Sequence, residues 1–167
     1  MRNITLQTAA LLLAVLALVA CSSIDCPLNN RVYASFRLAG STAKMDDTLT
    51  VATPRSADNI GEDTVLVNRL VDFDSIAVPM SYTRTEDVYI FSLKQKDTGM
   101  ETVDTVWVEK ENQPHFESVD CNPAFFHTIL GVRFTTNAID NIQVNNNKVT
   151  YNDAKAHFLI SFKSRGN

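Results

Sequence analysis

The stretch Val32-Tyr33-Ala34-Ser35-Phe36-Arg37-Leu38 alternates without a break. Val32, Ala34, Phe36 and Leu38 fall on one side of an extended chain, and Tyr33, Ser35 and Arg37 on the other. Strand side chains point to opposite faces with a period of two, whereas a helical stripe needs a period near 3.6. This pattern therefore predicts a strand with one face in a core. Similar runs follow at Asp47–Val51, Asp63–Val67, Asp74–Val78, Asp87–Leu93 and Thr102–Glu109. Pro54, Pro79 and Asp97-Thr98-Gly99 punctuate them, as turn residues should.

Pro114–Val119 reads as a seventh strand leading into Cys121. Residues 122–134 are ambiguous. Asn122-Pro123 and Gly131 are helix start and stop signals, yet the residues between them and on to Phe134 also alternate. The extended or irregular path is preferred. Ile139–Val144 and Lys148–Tyr151 flank Asn145-Asn146-Asn147 and read as a hairpin, because Asn tolerates positive φ. His157–Phe162 is the last strand. Nine or ten short strands, with no long helical period after residue 20, imply an all-β fold. The expected architecture is an antiparallel β-sandwich, immunoglobulin-like or similar, with a small β-barrel as second choice.

Three strands open alike, at Asp47-Thr48-Leu49, Asp63-Thr64-Val65 and Asp104-Thr105-Val106. Their uneven spacing excludes a repeat. Asp suits a turn and Thr a strand edge, which accounts for the likeness.

The N-terminus carries a different signal. Arg2 is the only charge before Asp25, and Ala9–Ala20 is unbroken apolar sequence. That run falls short of the roughly 20 residues needed to cross a hydrocarbon core. A positive start, a short apolar core and small residues before a cut describe a signal peptide. Its end, Leu18-Val19-Ala20-Cys21, resembles the lipobox of bacterial lipoproteins. That resemblance implies cleavage after Ala20 and lipid attachment at Cys21. It also implies sorting by Ser22 to the outer membrane. No acidic run after Cys21 resembles a surface-export signal, so the domain is expected to face the periplasm. Residues 1–20 would then be a cleaved signal, 21–26 a short lipid-anchored tether and 27–167 one β-rich domain. Only four residues separate Cys21 from Cys26, a reach of about 14 Å when extended.

The chain has three cysteines. With Cys21 lipidated, an even pair remains, and its one possible connectivity is Cys26 to Cys121. The bond would close a loop of about 95 residues, worth up to roughly 4–5 kcal/mol on the chain-entropy account. The alternative is two free thiols that face apart. A net charge of −4, with scattered Lys and Arg, argues against nucleic acid and against electrostatic membrane binding.

Taken together, Cys21 with Cys26-Pro27, the Asp-Thr-apolar strands, Pro114-His115-Phe116 before Cys121 and Ile139-Asp140-Asn141-Ile142 resemble a family of uncharacterised small lipoproteins from Bacteroidetes bacteria. No activity follows from that resemblance.

Candidate sites are few. His115, Cys121 and His127 are evenly spaced, and His and Cys suit zinc. Pro123 interrupts any strand joining them, however, and Cys121 has its use in a disulfide, so no metal or other cofactor is expected. Trp107 is a core residue or, if Val106 and Val108 face inward, an outer-face contact for a ligand or partner. The carboxylate pairs Asp72/Asp74 and Glu109/Glu111 read as surface charge. Nucleophile elbows, zinc-protease motifs and phosphate loops are absent. The expectation is a non-catalytic, membrane-tethered envelope protein that serves an envelope protein partner. A glycan or small-ligand module using Trp107 is the alternative. A hydrolase is a third reading, and would need a concave pocket with perturbed titratable groups.

Overall fold

The computed structural model describes residue 26 and residues 31–40, 44–55, 63–151 and 153–163. The expected signal segment 1–20, Cys21 and residues 22–25 of the expected tether lie outside the described residues, as do Pro27, Asn29 and Asn30.

Ten strands are formed: β1 (Tyr33–Leu38), β2 (Thr48–Pro54), β3 (Asp63–Leu70), β4 (Ser75–Pro79), β5 (Glu86–Lys94), β6 (Glu101–His115), β7 (Ala124–Phe134), β8 (Ile139–Val144), β9 (Lys148–Val149) and β10 (Phe158–Phe162). They build a four-stranded sheet, β4-β1-β10-β8, and a six-stranded sheet, β3-β2-β5-β6-β7-β9. Neither closes on itself, so the fold is the expected sandwich. All pairings are antiparallel except β1 with β10, where Phe36 lies beside Phe158 and Leu38 beside Ile160.

The alternation in β1 does what its sequence predicts. Val32, Ala34 and Phe36 are buried, and Arg37 is exposed. In β5, Asp87, Tyr89, Phe91 and Leu93 point inward. In β6, Val106 and Val108 do so, with Trp107 on the opposite face. Phe36 joins the layers. Its ring stacks on Phe158 at 4.4 Å and meets Phe91 and Tyr89 of the other sheet edge-on at 5.6 and 6.3 Å. Such pairs add to the free energy of apolar burial.

Two local readings need correction. The sixth strand runs on to His115 as β6, because Lys110 is buried in step with Val106 and Val108 rather than ending the run, and residues 116–119 of the expected seventh strand lie in the loop after it. Residues 124–134 are the extended β7, the path preferred from the sequence. There the alternation is re-phased by a bulge: Glu109 pairs with Gly131 but Lys110 with Ile129, and Leu130 is pushed outward. The segments flanking Asn145–Asn147 do not form a hairpin. β8 pairs with β10 in one sheet and β9 with β7 in the other, so the asparagines carry the chain between sheets. None of them takes positive φ; Asn145 and Asn146 instead donate their N–H groups to His157 O.

Asp104 fastens another crossing between the sheets, from β7 to β8. It is buried in mid-strand and accepts from Thr135 Oγ1, Asn137 N, Ala138 N and Ile139 N at 2.6–2.8 Å. Burial works to raise its pKa, but these four bonds outweigh it and hold the carboxyl below its ordinary range. A depressed carboxylate stabilises the fold above its unfolded pKa and loses that contribution as pH falls through the folded value. Asp104→Asn should therefore cost about 2–3 kcal/mol at pH 7. Urea denaturation should show the difference from the parent shrinking below the ordinary value of 3.8.

Candidate functional site

The β6–β7 connection is tied down at one end of the sandwich. Cys121 is bonded to Cys26, with their Cα atoms 5.4 Å apart. The loop turns through Cys121 N to Ser118 O at 3.3 Å. It displays Phe116 and Val119, which are 61% and 97% exposed. The same end carries the start of β1 and the β4–β5 connection. Met80 N donates to Val32 O, and Tyr82 stacks on Phe125 at 5.3 Å.

The β4–β5 connection is held by a buried polar cluster. Lys110 reaches under it, and its ammonium donates to Ser81 O and Arg84 O, both at 2.5 Å, and to Asn112 Oδ1 at 2.9 Å. Asp87 lies 3.5 Å away and accepts from Ser81 N and Tyr89 Oη. Asn112 donates to Tyr82 O and Arg84 O. This fixes its amide orientation, so His127 Nδ1–H donates to Asn112 Oδ1 at 2.8 Å. Burial raises the Asp87 pKa and lowers that of Lys110, while their mutual attraction opposes both shifts. Burial, then the Lys110 charge, brings His127 down to about 4. Its folded form is therefore neutral at pH 7. Asp87 also borders a cleft of about 220 Å³ with Arg31, Met80 and Tyr82. Its polar contacts go to protein groups, so the cluster acts as a loop lock.

A second cavity, of about 380 Å³, brings together residues far apart in sequence: Ser35 of β1 and Asp153 and His157 of the β9–β10 connection, with Tyr33 and Tyr151 at its wall. His157 is buried. Its Nδ1 accepts from Ser35 N at 2.9 Å and lies 2.9 Å from Ser35 Oγ, while Nε2 faces Asp153 Oδ2 at 3.0 Å. Asp153 is oriented by Thr150 N and Oγ1 at 2.7 and 2.9 Å. The connectivity is that of a Ser-His-Asp chain, with the ring nitrogens exchanged relative to the familiar triad. Nδ1 has one lone pair, and the Ser35 main-chain N–H already uses it. The contact therefore also satisfies a strand N–H beside the start of β10, which is a structural purpose.

Trp107 is half-buried on the outer face of the six-stranded sheet, in register with Val88 and Arg133. The Arg133 guanidinium lies 4.4 Å from its ring centroid, and Arg133 Nη2 is 3.0 Å from both Glu86 carboxylate oxygens. One face of the indole is thus covered by a cation held in place. His115, Cys121 and His127 serve separate ends. His115 stacks on Phe126 at 4.2 Å and meets Glu117 at 3.2 Å, Cys121 is in the disulfide, and His127 belongs to the buried cluster. Asp72, Asp74, Glu109 and Glu111 are exposed.

Two groupings escaped the sequence. Lys110 carried a usable signal, being in phase with Val106 and Val108. Ser35, Asp153 and His157 carried none, since their meeting depends on β1 and β10 pairing across the whole domain.

The chain belongs to a family of unknown function, DUF6452, whose model matches residues 48–162, from β2 through β10. No curated protein and no solved structure matches it.

Removing one partner of a buried pair strands the other. Lys110→Ala should cost about 3–5 kcal/mol in urea denaturation, through the unpaired Asp87 and the orphaned carbonyls. Adding Asp87→Asn to Lys110→Met should recover part of the loss suffered by Lys110→Met alone. Equal stability of that single and double variant would show that the ion pair does not matter.

Proposed function

We propose that this chain is a lipid-anchored envelope protein. Its sandwich is a non-catalytic accessory module for an envelope protein complex, tethered through Cys21 to the periplasmic face of the outer membrane. The observation that carries the reading is the Cys26–Cys121 bond. It belongs in an oxidising compartment and leaves only four residues between the lipobox cysteine and the first cysteine of the folded domain. That tether is too short for a domain that must roam, and it suits one held beside a membrane complex. The outer face of the six-stranded sheet supports a binding role, since Val88, Ile90 and Trp107 lie there only partly covered.

Crosslinking in native membranes, followed by purification and mass identification, tests this. One envelope protein in near-equal amount is expected. A chain that never crosslinks to another protein would sink the accessory role. The glycan alternative is weakened by the Arg133 lid on Trp107, which occupies a ring face that a sugar would use.

A hydrolytic reading has one observation in its favour, the Ser35-His157-Asp153 chain beside a cavity. It is the weaker because the Ser35 N–H competes for Nδ1. A fluorophosphonate probe should leave Ser35 unlabelled. Labelling that disappears in His157→Gln would reverse the order of the two readings.

A further inference from the structure

Three exposed side chains on the described surface are large aromatics: Tyr33, Tyr82 and Phe116, at 41, 60 and 61%. All three sit at the end of the sandwich that holds the disulfide. Tyr33 begins β1 and pairs with Pro79, and Tyr82 lies three residues further on, stacked on Phe125. Phe125 pairs with Pro114 at the mouth of the β6–β7 loop, and Phe116 and Val119 are in that loop. Among the remaining exposed large apolar side chains, Val65, Val71, Met100, Val103, Val119 and Leu130, none is aromatic.

We propose that this end of the domain rests on the lipid surface, with Phe116 and Val119 entering the interfacial layer and Tyr33 and Tyr82 at headgroup level. The proposal rests on lipidation of Cys21. The five Cα–Cα steps from Cys21 to Cys26 span at most about 18 Å, and the disulfide carries that limit directly to the Phe116–Cys121 loop. Amphipathic aromatics favour the membrane–water boundary, where the ring is sheltered and the hydroxyl stays wet. The loop also carries Glu117 and Asp120, both exposed. Two carboxylates keep the contact shallow and favour zwitterionic over anionic headgroups. A second membrane contact beside a covalent anchor sets the domain's orientation rather than its affinity.

Trp107 provides an internal control. It is nine residues before Phe116, and along one continuous strand that is about 30 Å. The acylated protein carrying Phe116→Trp, and separately Val119→Trp, should be placed in zwitterionic phospholipid vesicles brominated high on the acyl chains. Both positions are exposed, so the substitutions leave the core alone. The added emission should be mostly lost to bromine quenching in each variant, while the parent's Trp107 emission is retained. Unquenched added emission in both variants, with the acyl mass present on Cys21, overturns the membrane contact and leaves the anchor standing. Absence of acyl mass on Cys21 overturns the anchor and the contact with it.

Discussion

The packing of Phe36 is the contact on which the two layers depend. β1 is an inner strand of the four-stranded sheet, and Phe36 is its residue nearest the centre of the core. It touches its own sheet through Phe158 and the opposite sheet through Tyr89 and Phe91. Phe158 comes from the last strand, so this cluster joins the two ends of the domain. The β1–β10 pairing spans more than a hundred residues and closes the largest loop in the fold, which makes it entropically expensive to form early. The disulfide spans 95 residues and lies near the same start of β1. Once formed, it shortens the search for that pairing.

Apolar packing alone would leave the connections free, and here they are held by buried polar groups. Asp104 gathers the β7–β8 crossing, and Lys110 with Asn112 gathers the β4–β5 connection. All three residues are on β6, which thus works as a core strand and as a post for two loops. As an ion pair, Lys110 and Asp87 bring little net stability over an apolar replacement. Their geometry is demanding, however, and each loop has one position in which the donors and acceptors are satisfied. The cluster around Lys110 orders the surface that carries Tyr82.

These polar groups also explain what could and could not be read in the sequence. β1 and β5 were legible because Val32, Ala34, Phe36 and then Tyr89, Phe91, Leu93 alternate with polar neighbours. The length of β6 was hidden. Glu109-Lys110-Glu111-Asn112-Gln113 looks like solvated charge, and only three dimensions show Lys110 meeting Asp87 and two carbonyls. The Asn145–Asn147 turn was read from local chemistry, but its flanking strands are taken by different sheets, a choice that neighbouring residues do not encode. The bulge at Leu130 re-phases β7, so no single period describes it. Of the site residues, the Cys26–Cys121 pairing followed from counting. Trp107 was left between the core and the outer face, and the inward phase of Val106 and Val108 decides for the outer face. The Ser35-His157-Asp153 meeting needed the parallel β1–β10 pair, which has no local signature.

Where the disulfide sits also decides which surfaces can be used. Arg31 borders both cavities, one beside Asp87 and the other beside His157. Both therefore open near the start of β1, on the side that carries Cys26 and Phe116. Under the membrane contact proposed above, a soluble polymer would have difficulty reaching either cavity, whatever chemistry their linings allow. The outer face of the six-stranded sheet runs along the strands, away from the end that holds the disulfide. A partner would meet Val88, Ile90 and the Arg133-capped Trp107 there, on strands whose opposite faces are locked in the core. Rigid strands lose little entropy on binding, so a face of this kind suits an orienting contact with a protein partner better than it suits a catalytic cleft.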